Sequence, residues 1–297
     1  MSFVRGLSMS AACLLMAAVA CGGSNPAANS SPVTKVAGSP APGTGVLTFQ
    51  AIKREYLLVR PTGLSMSKSV PLVIAMHGYT SYDAEMEYMS NFDQVATEDG
   101  FVVVYPEGLG RSWNAGWCCA RNTYDDVGFI SALIDKVAGE QNIDRTRILA
   151  TGMSNGAMMA QRLGCELAGK ITAVVSVSGS LLVDKCHPSR PISVMEMHGD
   201  ADDLVPLSGG LTPGIGTFRP TMSVMQEWAS LDGCAATPAT ADDASATTYT
   251  WTACQVRSKV MLEVVKGGGH AWFGPSLGEP DASRLGWDFF IHAPPLN

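Results

Sequence analysis

Short apolar runs alternate with amphipathic segments along most of the chain. Several of these runs are continuously apolar, as in strands that are covered on both faces. The predicted strands span residues 54–60, 71–77, 101–107, 147–153, 171–179, 191–199 and 260–268. The predicted helices span residues 125–140, 155–167, 221–231 and 283–292. This alternation predicts a single α/β domain with a doubly wound, mainly parallel sheet.

The first 45 residues differ in composition from the rest of the chain. Residues 1–20 combine one Arg with an apolar stretch and small residues, which predicts a signal peptide for export rather than a membrane span. The segment AVAC at residues 18–21 resembles a bacterial lipobox, in which Cys21 would carry a lipid. Ordinary signal cleavage near Ala20 is the alternative. Residues 21–45 are rich in Gly, Ser, Pro and Ala and predict a flexible linker, so the folded domain is expected at residues 46–297.

The composition limits the class of partner. The chain has 297 residues, is 46% hydrophobic and carries a net charge of −7. It is therefore long and apolar enough for a large core, and it offers no basic surface for nucleic acid. We expect no nucleic-acid partner, a membrane contact only through the N-terminal lipid, and a monomer.

Six of the eight cysteines lie in the predicted folded domain. In an exported chain such a set indicates disulfides. Spacing favours the pairs Cys234–Cys254 and Cys165–Cys186 and leaves Cys118–Cys119 as a vicinal pair. No C-x-x-C spacing is present, so no metal site is expected.

The segment GMSNG at residues 152–156 follows a predicted strand and opens a predicted helix. Serine in this setting is typical of a nucleophile elbow, whose glycines lie where the turn is too tight for side chains. The helix N-terminus also favours negative charge that develops near Ser154. A helix N-cap is the alternative role for such a serine. The strand, the glycines and the helix together favour the nucleophile.

A serine nucleophile needs a base, and the chain has five histidines. Hydrolases with this elbow have the chain order nucleophile, acid, histidine. His187, His198 and His292 follow Ser154, but only His270 leaves room for an acid upstream on a separate strand end. His270 also lies on a glycine-rich loop directly after the last predicted strand. We therefore predict His270 as the base.

The acid is expected in HGDADDLVP at residues 198–206, after a predicted strand. It must accept the imidazole N–H and stay ionised. Asp200, Asp202 and Asp203 are all candidates, and spacing does not choose among them. A calcium loop would need further oxygens and a glycine that this segment lacks. Asp125 and Asp126, which open a helix before the serine, are interpreted as structural charges.

Six motifs occur in an order that resembles a known family. HGYT, WNAGWCC, DDVGFI, GMSNGAMM, HGDADDLVP and GGGHAW are similar to segments of the secreted esterases grouped as polyhydroxybutyrate depolymerase-like and feruloyl esterase-like. The likeness covers about residues 46–295. It implies the α/β-hydrolase fold and a serine carboxylesterase that works through an acyl-enzyme without a cofactor.

The resemblance also implies roles for individual residues. The family pattern H-G-x-x-D-x-x-V-P implies that Asp202 is the acid, and G-G-x-H-x-W implies that His270 is the base. The backbone N–H groups of Tyr79 and Asn155 are implied as donors to the oxyanion, a contribution of several kcal/mol in such enzymes.

For the substrate, the sequence predicts a class of ester and not one compound. Aromatic residues beside the motifs predict a cleft for an aryl group, formed by Tyr79, Trp113, Trp117, Trp272 and Phe273. The expected substrate is a small-molecule or oligomeric ester of feruloyl, acetyl or hydroxyalkanoate type. A peptidase of the same fold and a surface-displayed binding lipoprotein on an inactive hydrolase scaffold are the alternatives. The intact Ser, His and Asp argue against the binding protein, and the sequence lacks the second domain or subsite features of a peptidase.

Overall fold

The computed structural model describes residues 42–119, 123–275 and 278–296. The predicted signal peptide, Cys21 and all but the last residues of the predicted linker lie outside these ranges. The first strand begins at Gly43, three residues before the predicted domain boundary at residue 46. No helix of the described ranges has the length and apolar character that a bilayer crossing requires.

Strands and helices alternate through the described chain. The strands are β1 (Gly43–Phe49), β2 (Ile52–Val59), β3 (Val70–Met76), β4 (Val102–Pro106), β5 (Ile143–Met153), β6 (Ala173–Val177), β7 (Ser193–Gly199), β8 (Gly210–Thr212), β9 (Gly216–Phe218), β10 (Ala239–Asp242), β11 (Ala246–Trp251) and β12 (Val260–Val265). The helices are α1 (Asp83–Ser90), α2 (Phe92–Asp99), α3 (Asp126–Gln141), α4 (Asn155–Glu166), α5 (Thr221–Leu231) and α6 (Ala282–Ile291).

Ten of these strands form one sheet in the order β1-β2-β4-β3-β5-β6-β7-β12-β11-β10. The six strands from β4 to β12 are parallel, and antiparallel strands extend both edges. The predicted mainly parallel, doubly wound α/β sheet is confirmed. The carboxyl ends of β3, β5, β7 and β12 meet at one edge of this sheet, where ligands bind in open α/β folds.

All seven predicted strands and all four predicted helices are present. The sequence pattern missed β1, β10 and β11 because these strands lie at or near the sheet edges, where few side chains are buried. It also missed α1 and α2, whose buried faces mix apolar with polar residues such as Glu87 and Asp93. The small hairpin β8–β9 pairs apart from the main sheet and was not predicted either.

Apolar side chains cover both faces of the sheet. On one face, Phe129 of α3, Leu163 of α4 and Trp228 of α5 are fully buried. On the other face, α2 and α6 pack over the strands, and the rings of Phe101 and Trp287 stack at 3.9 Å. Burial on both sides explains why the central strands are continuously apolar.

Three disulfides connect the cysteines in the predicted pairs. Their pairs are Cys118–Cys119, Cys165–Cys186 and Cys234–Cys254. The first lies in the loop that precedes α3, next to the edge where the strand ends meet.

Candidate active site

Ser154 lies on a tight turn between β5 and α4. Its backbone has φ 54° and ψ −119°, a positive φ that is uncommon for serine, and its N–H donates to the carbonyl oxygen of Val177 at 2.9 Å. The side chain makes no capping hydrogen bond to the helix. The hydroxyl is thus turned away from the role of an N-cap, the alternative that the sequence left open.

Gly152 and Gly156 allow this turn to approach the neighbouring strand. A Cβ on Gly152 would lie 2.6 Å from the carbonyl oxygen of Met76, and a Cβ on Gly156 would lie 2.1 Å from the same atom. No side chain fits at these distances. The two glycines therefore hold the start of α4 against the end of β3.

We expect Gly156→Ala to destabilise the protein by about 3 kcal/mol, because the new methyl group overlaps backbone that cannot move aside. Urea unfolding followed by circular dichroism measures this loss. Gly139→Ala is the matched control, since a Cβ on this α3 residue would meet no atom within 4 Å. The control should be neutral or more stable by up to about 1 kcal/mol. Equal stabilities for the two variants would contradict the packing argument.

The structure distinguishes the three candidate acids. Asp202 follows β7, and its Oδ2 lies 2.8 Å from Nδ1 of His270, which follows β12. Asp200 instead accepts a hydrogen bond from the N–H of Gly267 at 2.7 Å, and Asp203 is exposed. Only Asp202 of the three contacts His270 through a side-chain hydrogen bond.

Asp202 is held in place by its other oxygen. Its Oδ1 accepts hydrogen bonds from the backbone N–H groups of Leu204 at 2.9 Å and Val205 at 2.8 Å. Burial by itself would raise the pKa of this carboxyl. Hydrogen bonds with His198, His270 and the N–H of Val205 outweigh burial and lower the pKa of Asp202 far below its ordinary value of 3.8. These hydrogen bonds therefore favour the ionised carboxylate that a catalytic acid of this kind requires.

Ser154 and His270 both line one cleft of about 620 Å³. The His270 side chain is 13% exposed, so solvent and small molecules reach it. The remaining wall is mainly apolar and includes Tyr79, Met89, Met153, Leu204, Val205, Ile215 and Phe218. The cleft thus combines a serine hydroxyl, an imidazole that is paired with a carboxylate, and apolar surface that could accept an organic group.

The two proposed oxyanion donors flank the serine. Asn155 is the residue after it, and Tyr79 follows Gly78, on which a Cβ would lie 3.5 Å from Cβ of Ser154. The Asn155 side chain fixes the loop before α3, because its Oδ1 accepts from the N–H of Trp113 at 2.7 Å. Its Nδ2 donates to the carbonyl oxygen of Cys118 at 3.3 Å.

His77 belongs to the support of the Tyr79 loop. Its Nε2 accepts from the N–H of Gly108 at 2.9 Å, so its proton is on Nδ1, which donates to the carbonyl oxygen of Gly78 at 2.8 Å. Burial lowers the pKa of His77 to about 4. The ring is neutral and structural at physiological pH.

The prediction of an aromatic cleft is wrong for three of its five residues. Trp113 is fully buried and donates through Nε1 to the carbonyl oxygen of His77. Trp272 is 8% exposed and donates to Oγ of Ser283, and Phe273 is fully buried. Their large apolar rings stabilise the loops from beneath. Tyr79, at 45% exposure, lines the cleft, and Trp117, at 47% exposure, is open to solvent.

Trp117 lies beside the cleft rather than in it. Its ring packs on that of Phe218 at 5.0 Å, and it lines an adjoining cavity of about 210 Å³. Phe218 and Ile215 of the hairpin region complete the cleft wall and were missed, since residues 210–218 carry no periodic pattern.

The paired acids before the serine are structural, as predicted. Asp125 caps α3 by accepting from the N–H of Gly128 at 2.8 Å. Asp126 is buried, forms an ion pair with Arg54 at 2.8 Å and accepts from the N–H of Asn114. Within the described ranges, no group of three His, Cys, Asp or Glu side chains is arranged to hold a metal ion.

Comparison with known proteins was made for sequence and for fold. Residues 120–212 match a family model described as phospholipase/carboxylesterase. The chain is similar to feruloyl esterase C of Emericella nidulans, with 30% identity over 278 residues that cover 88% of this chain and 94% of that protein. It is also 31% identical over 249 residues to feruloyl esterase B of Piromyces equi, covering 80% of this chain but 44% of that relative. The chain therefore spans less than half of the length of the second relative.

Among solved structures, an acetyl xylan esterase from Aspergillus awamori has a similar fold. The TM-score is 0.64 with 15% sequence identity, and the match covers 84% of this chain and all of that structure. At this identity the likeness concerns the fold, which is that of the α/β-hydrolases.

Proposed function

Because this chain belongs to the carboxylic ester hydrolase family that includes feruloyl esterase C, we propose that it cleaves feruloyl or acetyl esters through a serine acyl-enzyme. The observation that carries the proposal is the His270–Asp202 hydrogen bond beside a strained serine on the same cleft. The esterase relatives favour an enzyme over the binding lipoprotein and over a peptidase.

In the proposed reaction, Ser154 is the nucleophile. Its Oγ attacks the ester carbonyl carbon while Nε2 of His270 takes the hydroxyl proton. Asp202 accepts the N–H on Nδ1, which leaves Nε2 free as the base, and it stabilises the imidazolium that forms. His270 then protonates the leaving alcohol, and water attacks the acyl-enzyme to release the acid.

The backbone N–H groups of Tyr79 and Asn155 are proposed to bind the oxyanion. The Asn155 N–H is in the first turn of α4, where amide groups lack a partner within the helix and the dipole favours negative charge. The Tyr79 loop is fixed by neutral His77 and passes close to Ser154. Such fixed donors stabilise the transition state without rearrangement.

The substrate is proposed to be an ester on a sugar chain. The apolar cleft accepts the acyl group, and the adjoining cavity combines the Trp117 ring with the side chains of Asp184 and Arg219. An aromatic face beside polar groups suits a sugar ring, which has apolar faces and hydroxyl edges. Hydroxyalkanoate-type esters remain a second candidate, since the cleft is mainly apolar.

The substrate test compares methyl ferulate, p-nitrophenyl acetate and a feruloylated xylo-oligosaccharide. We expect turnover of all three, and Trp117→Ala should raise KM for the oligosaccharide alone by about 10-fold, the equivalent of one lost aromatic contact. Trp117→Phe, which keeps an aromatic face, should recover most of the affinity. Equal changes in KM for all three esters in Trp117→Ala would contradict the proposed sugar subsite but not the esterase activity. Turnover of p-nitrophenyl acetate alone by the wild-type enzyme would exclude the feruloyl preference.

We also propose that the protein is exported and acts as a monomer. Three disulfides support an oxidising compartment. Lipid on Cys21 would hold the enzyme at the cell envelope through residues 21–45. Metabolic labelling with a radioactive fatty acid, compared with Cys21→Ser, tests the anchor.

A further inference from the structure

A buried chain of polar side chains extends from Asp202 into the interior of the domain. Its members are Glu196 and His198 of β7 and Gln161 of α4, and each is fully buried. The proposed reaction does not use any of them. Buried charges are costly unless they are paired, so this cluster requires an explanation.

The orientation of the Gln161 amide shows which hydrogen bonds the Glu196 carboxyl group accepts. The indole N–H of Trp228 can only donate, and it lies 3.1 Å from Oε1 of Gln161. The amide nitrogen of Gln161 therefore faces Oε2 of Glu196, where it donates at 3.1 Å. Oε1 of Glu196 accepts from the N–H of Gly179 at 2.9 Å. Both oxygens accept hydrogen bonds, as expected for an ionised carboxylate.

Both ring nitrogens of His198 then face acceptors. Nδ1 lies 2.9 Å from Oε1 of Glu196, and Nε2 lies 2.7 Å from the carbonyl oxygen of Val205. A neutral imidazole carries one proton and would leave one of these contacts without a hydrogen. A doubly protonated ring satisfies both.

His198 also touches the proposed catalytic acid. Its Nε2 lies 3.4 Å from Oδ2 of Asp202, the same oxygen that binds His270 at 2.8 Å. Val205 joins the two residues, because its N–H donates to Asp202 and its carbonyl oxygen accepts from His198. His198 therefore holds the Asp202 loop by charge and by hydrogen bonding.

We propose that His198 is a buried imidazolium, paired with Glu196, that positions Asp202 for catalysis. His198 is thus a positioning residue and does not contact substrate. This inference rests on the proposed function, because it assigns a role toward the proposed triad. The cluster of Glu196, His198 and Asp202 carries a net charge of −1, which keeps one negative charge available to His270.

The ionisation behaviour of His198 agrees with this geometry. Burial by itself lowers the pKa of the ring, but the hydrogen bonds with Asp202 and Glu196 outweigh it and raise the pKa to about 10. The ionisable groups around the ring are Glu196 on its own strand, Asp202 on the following loop and His270, which contacts the same oxygen of Asp202. Gln161 on α4 is uncharged.

The charge of His198 can be observed directly on the wild-type enzyme labelled with ¹⁵N-histidine. Long-range ¹H–¹⁵N spectra distinguish a doubly protonated ring from either neutral tautomer, and the signals of His198 are identified by their loss in His198→Gln. We expect both nitrogens of His198 to stay protonated from pH 6 to 9. A neutral His198 ring at pH 7 would overturn the proposal, whether or not the protein is an esterase.

Kinetics test the positioning role. His198→Gln should lower kcat by about 10- to 100-fold, the range seen when residues that orient catalytic groups are removed, with little change in KM. The nitrogens of His198 and His270 that contact Oδ2 of Asp202 lie no more than about 6 Å apart. Loss of the cation therefore makes the surroundings of His270 more negative by one charge. The acidic limb of the kcat/KM profile then moves to higher pH. His292→Gln is the control and should leave the profile unchanged.

Glu196→Gln gives an independent variant in case His198→Gln folds poorly. Without its carboxylate partner His198 loses its proton at lower pH, so kcat/KM should fall on the alkaline side, where the wild-type enzyme is expected to keep its activity. Unchanged profiles in both variants, with wild-type activity, would overturn the positioning role. Activity that survives in Ser154→Ala would instead remove the proposed function, while the spectra still decide the charge of His198.

Discussion

Ser154→Ala is expected to lower kcat for ester hydrolysis by about 10⁴- to 10⁶-fold, as for other serine hydrolases that lose the nucleophile. The other hydroxyls in the described lining of the cleft belong to Tyr79, Thr80 and Ser81, on the loop after β3 and not at the start of a helix. The turn depends on Gly152 and Gly156 and not on the serine side chain, so the variant should keep its fold. Some activity above that of water should remain from the oxyanion donors.

Initial rates with p-nitrophenyl acetate and methyl ferulate measure this loss. A fluorophosphonate probe should label the wild-type enzyme on the peptide that contains residue 154 and should not label the variant. Ser189→Ala, a change at an exposed loop serine, is the control and should keep wild-type rates. A Ser154→Ala enzyme within 10-fold of the wild-type rate, or labelling at a different residue, would refute the assignment.

Asp202→Asn should lower kcat by about 10⁴-fold while the protein stays folded. The Asn carbonyl oxygen can still accept from the N–H groups of Leu204 and Val205, so its amide nitrogen faces Nδ1 of His270. That nitrogen donates a hydrogen bond and forces the imidazole proton onto Nε2, the atom that must act as base. The large loss follows from the wrong tautomer and not from a displaced ring.

Asp203→Asn separates this effect from a general change in charge. Asp203 is the next residue and is exposed, so its variant has the same net charge but should stay within about twofold of wild type. Similar losses of kcat in the two variants would show that the activity falls because a negative charge is removed, and not because the contact with His270 is lost.

The identity of the acid illustrates what sequence and structure each contribute. Three aspartates within four residues have the same side chain and the same local pattern, and only the family resemblance favoured Asp202. The turn after β7 directs Asp200 toward Gly267, Asp203 toward solvent and Asp202 toward His270. Local sequence does not encode this choice, since it depends on the position of a loop 68 residues away.

The aromatic residues show a second limit of prediction from sequence. Trp113, Trp272 and Phe273 are close to the motifs in sequence, yet their side chains point into the interior. Proximity along a loop does not fix the side of the loop that a ring occupies, because burial of a large apolar ring beneath the loop is as favourable as a place in a cleft. The hairpin that forms part of the cleft wall was not predicted, because residues 210–218 have no periodic pattern of apolar and polar residues.

The sequence by itself determined the sheet and the turn at Ser154, and it led to His270 as the proposed base. Continuous apolar runs specify strands covered on both faces, and the glycines around Ser154 specify a turn without side chains. Both of these features are encoded in short local segments of the chain. The tertiary structure decided which aspartate meets His270, which aromatic ring is exposed and how Glu196 and His198 pair behind the site. Each of those depends on contacts between distant segments, and such contacts form only when the strands align at one edge of the sheet.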